Sequence, residues 1–189
     1  MKYLLVVLCC FFTSVLQAQV VTNVYWTEQT TLRPTDIIYY SKERPLIWSD
    51  FRGTTNDKTL AAAVTASGFG YKADISTTGS KSMLNIGIYC YFTKDKSWVK
   101  PGKTTEYILN HEQNHFDISF IVAKMFEEKL KKANLNRSNF NVLLPSLYQE
   151  SCDVMNKMQE EYDSQTKNGQ LRDIQQKWDT YIEQKVIGL

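Results

Sequence analysis

The chain has 189 residues, and its 22 Lys and Arg nearly balance 20 Asp and Glu. Hydrophobic residues make up 43% and aromatics 13%, with only 8 Gly and 4 Pro, which excludes a disordered, collagen-like or linker-type chain because there is enough apolar surface to offset chain entropy. A net charge of +2 gives no case for a nucleic-acid partner, and the length suits one domain that forms its own core.

Residues 1–18 read as an address rather than as part of the fold. Met1-Lys2 precede an apolar run from Leu4 to Phe12, and Ala18 offers a small residue at a cleavage point, the pattern of a secretory signal peptide. The apolar stretch from Tyr3 to Leu16 falls short of the ~20 residues that a spanning helix needs. The expectation is therefore a signal peptide over 1–18, a single domain over 19–189, a secreted or periplasmic location, and no membrane span after cleavage. Cleavage removes Cys9 and Cys10 and leaves Cys90 and Cys152. In an oxidising compartment these two are read either as a disulfide between a strand and a helix or as two buried thiols.

The front half is strand-rich. Ile37-Ile38-Tyr39-Tyr40 and Leu46-Ile47-Trp48 are short β-prone runs, and Ala61 to Ser76 is a longer one rich in small residues. Thr77-Thr78-Gly79-Ser80 marks a hairpin turn. On the return strand Leu84, Ile86, Ile88, Cys90 and Phe92 alternate with the residues between them, so one face is apolar.

Behind Pro101-Gly102 the period changes to that of a helix. Thr104 or Thr105 caps it, Glu106 complements the dipole, and the stripe Ile108, His111, His115, Ile118, Val122, Met125 runs to about Lys132-Ala133. Asn134 to Asn141 form a polar connection, and a second helix is expected from Pro145, with the stripe Leu147, Ser151, Met155, Met158, Tyr162. Lys167-Asn168-Gly169 breaks it, and a last helix carries Leu171, Ile174, Trp178, Ile182 and Val186. The fold class is α+β: a small, mainly antiparallel sheet followed by three helices.

The chemistry lies in His111-Glu112-Gln113-Asn114-His115, an HExxH motif that uses both histidines of the chain. Residues four apart share one helical face, so two imidazoles can grip one zinc ion, while Glu112 sits beside that face as general base for a metal-activated water. Two core histidines on a helix stripe are the blander alternative. Asp117 is read as orienting a ligand or as a capping residue, and Tyr162 as core or as a donor to an oxyanion. Trp48, Trp98 and Trp178 are expected in the core. The Ala61 to Tyr71 strand is an ordinary sheet strand or an edge on which a peptide lies.

The segment His111-Glu112-Gln113-Asn114-His115-Phe116-Asp117-Ile118 resembles the HEQxHFDI motif of a bacterial secreted family catalogued as a domain of unknown function. Leu46-Ile47-Trp48-Ser49-Asp50-Phe51-Arg52-Gly53 is similar to its LxWxDFxG segment, and Ala61 to Thr65 and Lys96 to Val99 to later landmarks. Tyr162-Asp163-Ser164-Gln165-Thr166 with Gly169, Gln175 and Trp178 resembles its YDxxTxHG…QxxW ending. The resemblance implies a zincin-like fold and a zinc-dependent protease acting on a peptide or protein substrate. Where the family pattern has histidine before the glycine, this chain has Asn168. That histidine is the natural third ligand in the family, so here Asp163, Glu161 or Asn168 are the candidates for the role, Asp163 first among them, with the alternative that Asp163 orients an imidazole instead. The departure also motivates a second expectation, a catalytically weakened zincin-like module that binds a peptide or an envelope component.

Overall fold

The computed structural model describes residues 20–30, 35–56, 58–79 and 81–189. The expected signal peptide, residues 1–18, lies outside them. The elements are β1 (Val20–Trp26), β2 (Ile37–Tyr39), β3 (Ala63–Val64), β4 (Ser67–Thr78), β5 (Lys81–Thr93), β6 (Trp98–Val99), α1 (Glu106–Lys132), α2 (Phe140–Thr166) and α3 (Arg172–Ile187). A small, mostly antiparallel sheet precedes three helices, an α+β architecture.

β5 is the hub of the sheet. It pairs antiparallel with β4 along its whole length, from Ser67 opposite Phe92 to Thr78 opposite Lys81. Its other edge takes β1 in parallel, from Val20 opposite Ser82 to Trp26 opposite Ile88, and then β2 antiparallel, from Ile37 opposite Thr93 to Tyr39 opposite Tyr91. The expected alternation on β5 holds: Leu84, Ile86, Ile88, Cys90 and Phe92 are all buried on one face. Each such side chain contributes roughly 1.5–3 kcal/mol when withdrawn from water. Phe116, Ala123, Phe126 and Leu130 of α1 pack onto this face.

α1 has a second buried side. Ile118 and Ile121 meet Tyr162 of α2 and Ile182 of α3 in a smaller cluster, so α1 is covered by the sheet on one side and by both helices on another, while Tyr148 of α2 also reaches Phe69 of the sheet. That sandwiched position explains why its buried residues spread beyond a single stripe, while Met125, expected inside, is half exposed. Its cap is the expected one: the Thr105 hydroxyl accepts the Ile108 N–H at 3.2 Å.

Three expected elements are corrected. The run Ala61 to Ser76 is two strands, β3 and β4, because β3 pairs with β6 in a separate ribbon, Ala63 opposite Val99. Trp48–Asp50 is a 3-10 turn rather than a strand, because the buried Asp50 carboxylate accepts the Ile47 N–H at 3.0 Å and is held by Arg44 at 2.8 Å. α2 begins at Phe140, not Pro145. Asn139 steadies that start: its side chain accepts the Asn136 N–H and donates to the Asn134 carbonyl, and the buried Leu144 anchors the turn that contains the proline. β1 had no counterpart among the expected elements. Cys90 and Cys152 are both free thiols, the first buried and the second half-buried. Trp98 is buried, whereas Trp48 and Trp178 are half-buried against the core.

Candidate metal centre

His111 and His115 stand in the first turns of α1, on the side that faces α2 and α3. Both side chains are nearly buried, and their rings meet at 89° with centroids 4.9 Å apart. The Nε2 atoms of both approach one oxygen of Asp163 on α2, at 3.2 Å from His111 and 3.1 Å from His115. The three ligand atoms lie within 4.8 Å of one another and form a group that could hold a metal ion. The Asp163 side chain is 40% exposed, so the group is reachable from solvent.

The surroundings assign the tautomers. Gln175 of α3 donates its Nε2 to the Tyr162 hydroxyl and, at 2.7 Å, to Asp179, which leaves its Oε1 facing His111 Nδ1 at 2.9 Å. Gln159 of α2 donates its Nε2 to the His115 carbonyl at 2.8 Å, which turns its Oε1 toward His115 Nδ1 at 2.5 Å. Nδ1 donation to these amide oxygens favours the tautomer whose Nε2 is free to ligate a metal, whereas an imidazole protonated on Nε2 donates to Asp163 instead. Two Nε2 atoms and a carboxylate thus converge as a group suited to a cation.

Tyr162 is the floor of the site. Its ring stacks on His111 at 4.7 Å and 22° and meets His115 edge-on at 5.0 Å. Its hydroxyl accepts from Asn114 at 3.1 Å as well as from Gln175. Burial pushes this phenol well above its ordinary range. It is thus a core residue that braces both imidazoles, and its hydroxyl is committed inside the protein rather than offered to an oxyanion.

Glu112 is buried, and its Oε2 has no hydrogen-bond partner among the described residues. Burial raises its carboxyl above the usual range, against the pull of His115 and His111. Burial also disfavours charge on His115, yet the hydrogen bond it donates to Asp163 when protonated and the nearby Glu112 raise its basicity overall. For Asp163 burial again pushes upward, but the bonds to both imidazoles outweigh it and hold the carboxyl far below its ordinary value. The Thr65 hydroxyl donates to the Glu112 carbonyl at 3.1 Å, tying α1 to the strand segment opposite.

These groups open into a cleft of about 550 Å³. One wall is the segment Thr59 to Thr65, including β3, and the facing wall is Asn168-Gly169-Gln170 between α2 and α3. The Tyr107 hydroxyl donates to the Gly169 carbonyl at 2.6 Å and anchors that turn to α1. Lys167, Asn168 and Gly169 all have positive φ, at 50°, 52° and 76°. At Gly169 a Cβ would lie 3.3 Å from His111 Nδ1, so the glycine gives the backbone both its conformation and its close approach to the ring.

Of the residues singled out from sequence, His111, Glu112, His115 and Asp163 come together. Asn168 lines the same cleft. Glu161 is exposed, 3.8 Å from Lys157, and takes no part. Asp117 does not orient a histidine: it accepts from Tyr40 at 2.9 Å and from Gln113 at 2.8 Å, and burial raises its carboxyl. Gln113 in turn accepts the Leu46 N–H at 2.8 Å, so the third motif residue fastens the front of the chain to α1. Gln159, Asn114 and Asp179 were not anticipated. The spacing of Gln159 and Asp163, four apart on one helix face, is the signal that could have shown the first of them.

No family model, curated protein or solved structure matches this chain. Among the described residues, no helix is long and apolar enough to cross a membrane.

Proposed function

We propose that the chain is a secreted, zinc-dependent metallopeptidase of zincin-like type, with His111, His115 and Asp163 as zinc ligands and Glu112 as general base. The observation that carries this reading is the convergence of two imidazole Nε2 atoms and one carboxylate beside a buried, unpartnered Glu112 oxygen in an open cleft. Two histidines and one carboxylate are a donor set that zinc takes in hydrolytic sites, with a further position left for water or substrate. Zinc there supplies Lewis acidity, polarising a carbonyl and making water a nucleophile near neutral pH.

The chain's own residues do the rest. Gln175 and Gln159 hold the imidazoles in the ligating tautomer. Glu112 Oε2 takes a proton from the attacking water as its oxygen bonds to the peptide carbon, then delivers that proton to the nitrogen as the C–N bond breaks. The wall from Thr59 to Thr65 offers extended backbone along which a peptide is held. The alternative of a catalytically weakened binding module drew on the lack of histidine at position 168. Asp163 completes a three-ligand set without it, which favours the enzyme.

The test pairs elemental analysis with hydrolysis of a proteome-derived peptide mixture. The protein should carry about one zinc per chain and cleave peptides. Glu112→Gln should keep the metal and lose cleavage. A zinc-loaded wild type that cuts nothing in the mixture points to the binding module instead.

A further inference from the structure

The chemistry of the cleft walls narrows what can enter. Among the described residues that line it, Glu112 and Asp163 are the only carboxylates and no Lys or Arg is present, and both carboxylates belong to the proposed zinc machinery. The segment Thr59 to Thr65 carries no charge, and its three consecutive alanines, Ala61 to Ala63, leave space that longer side chains would fill. Leu60 stands fully exposed at the rim, and Ile108 of α1 also faces the cleft. Two of the nearby bases are engaged: Lys100 Nζ donates to the Thr59 carbonyl, and the Arg172 guanidinium lies 4.5 Å over the Tyr107 ring.

We infer that this cleft selects polypeptide with an uncharged, apolar side chain beside the bond to be cut, and that Leu60 and Ile108 set the preference. The inference rests on the metallopeptidase reading above. A charged side chain entering here loses hydration, and the charged groups of the described lining, Glu112 and Asp163, are committed to the proposed zinc site. An acidic one also faces the carboxylates of Glu112 and Asp163. An apolar side chain gains from covering Leu60, whose exposure places apolar area at the edge of a functional concavity.

The test uses the full chain loaded with zinc and the hydroxamates of leucine, alanine, aspartate and lysine. The hydroxamate chelates the metal, so its side chain is held against the cleft wall whether or not the protein turns over substrate. Calorimetry should find leucine hydroxamate bound at least about tenfold more tightly than the aspartate and lysine compounds. Leu60→Asp should erase most of that difference at unchanged zinc content, because a fully exposed side chain does not support the fold. Equal affinity for all four, or tighter binding of a charged one, overturns the inference and leaves the metal centre standing. No binding of any hydroxamate to zinc-loaded protein overturns the inference and the metallopeptidase reading together.

Discussion

The Nδ1 of His111 lies 2.9 Å from Oε1 of Gln175, a residue 64 positions later in the chain, and the far end of the same amide is held by Tyr162 and Asp179. The contact decides which nitrogen of His111 keeps its proton and where its lone pair points. Gln175→Ala should therefore weaken zinc binding about 10–100-fold, the usual cost of losing a partner that orients a ligand. Competition with a chromophoric chelator measures this. An unchanged affinity would mean that His111 is oriented by packing alone.

Asp163 and Asn168 make opposite predictions for the third ligand. Asp163→Ala should reduce bound zinc to well under one per chain, whereas Asn168→Ala should leave the stoichiometry intact. Because a ligand that binds only the folded state stabilises it, metal at a hundredfold over its Kd adds about 2.7 kcal/mol, and a chelator should lower the wild-type Tm accordingly. Asp163→Ala should show almost no response to chelator. The reverse pattern would move the third ligand to Asn168.

Gly169→Ala puts a Cβ at φ 76° and 3.3 Å from the His111 ring. We expect a loss of about 1–2 kcal/mol in urea unfolding, from the left-handed backbone and the contact together, with weaker zinc binding as the ring shifts. Gly102→Ala is the control, since it shares a positive φ but would meet nothing within 4 Å. It should lose stability without touching zinc affinity.

Tyr162→Phe keeps the ring beneath both imidazoles and removes the acceptor used by Asn114 and Gln175 together with the donor to the His111 carbonyl at 3.4 Å. Both amides still donate to Asp179, at 2.6 and 2.7 Å, so the cost should stay near 1–2 kcal/mol. Tyr162→Ala also removes a fully buried ring and should cost about 3–5 kcal/mol. Equal costs for the two variants would show that the hydroxyl, not the ring, carries the contribution of this residue.

Much of the secondary structure could be read from local pattern. The period-two alternation of β5, the capped helix from Glu106, and the break at Lys167 to Gly169 all express chemistry held within a few residues. The misses share a different cause. β1 forms by parallel pairing with residues some 60 positions away, and nothing within Val20–Trp26 announces that partner. Leu46-Ile47-Trp48 has strand propensity, but a single buried carboxylate, Asp50, closes a 3-10 turn there. Proline normally marks a helix start, yet Asn139 and the buried Leu144 carry α2 back to Phe140.

The same division runs through the site. The HExxH spacing by itself determined that two imidazoles and a carboxylate would share a region of one helix, because helical periodicity alone fixes that relation. Only the packing of α2 and α3 against α1 decided that Asp163, rather than Glu161 or Asn168, meets the histidines, and that two glutamines set their tautomers. Those choices depend on the rotation and offset of helices joined by loops, and no local pattern of residues encodes how such surfaces meet.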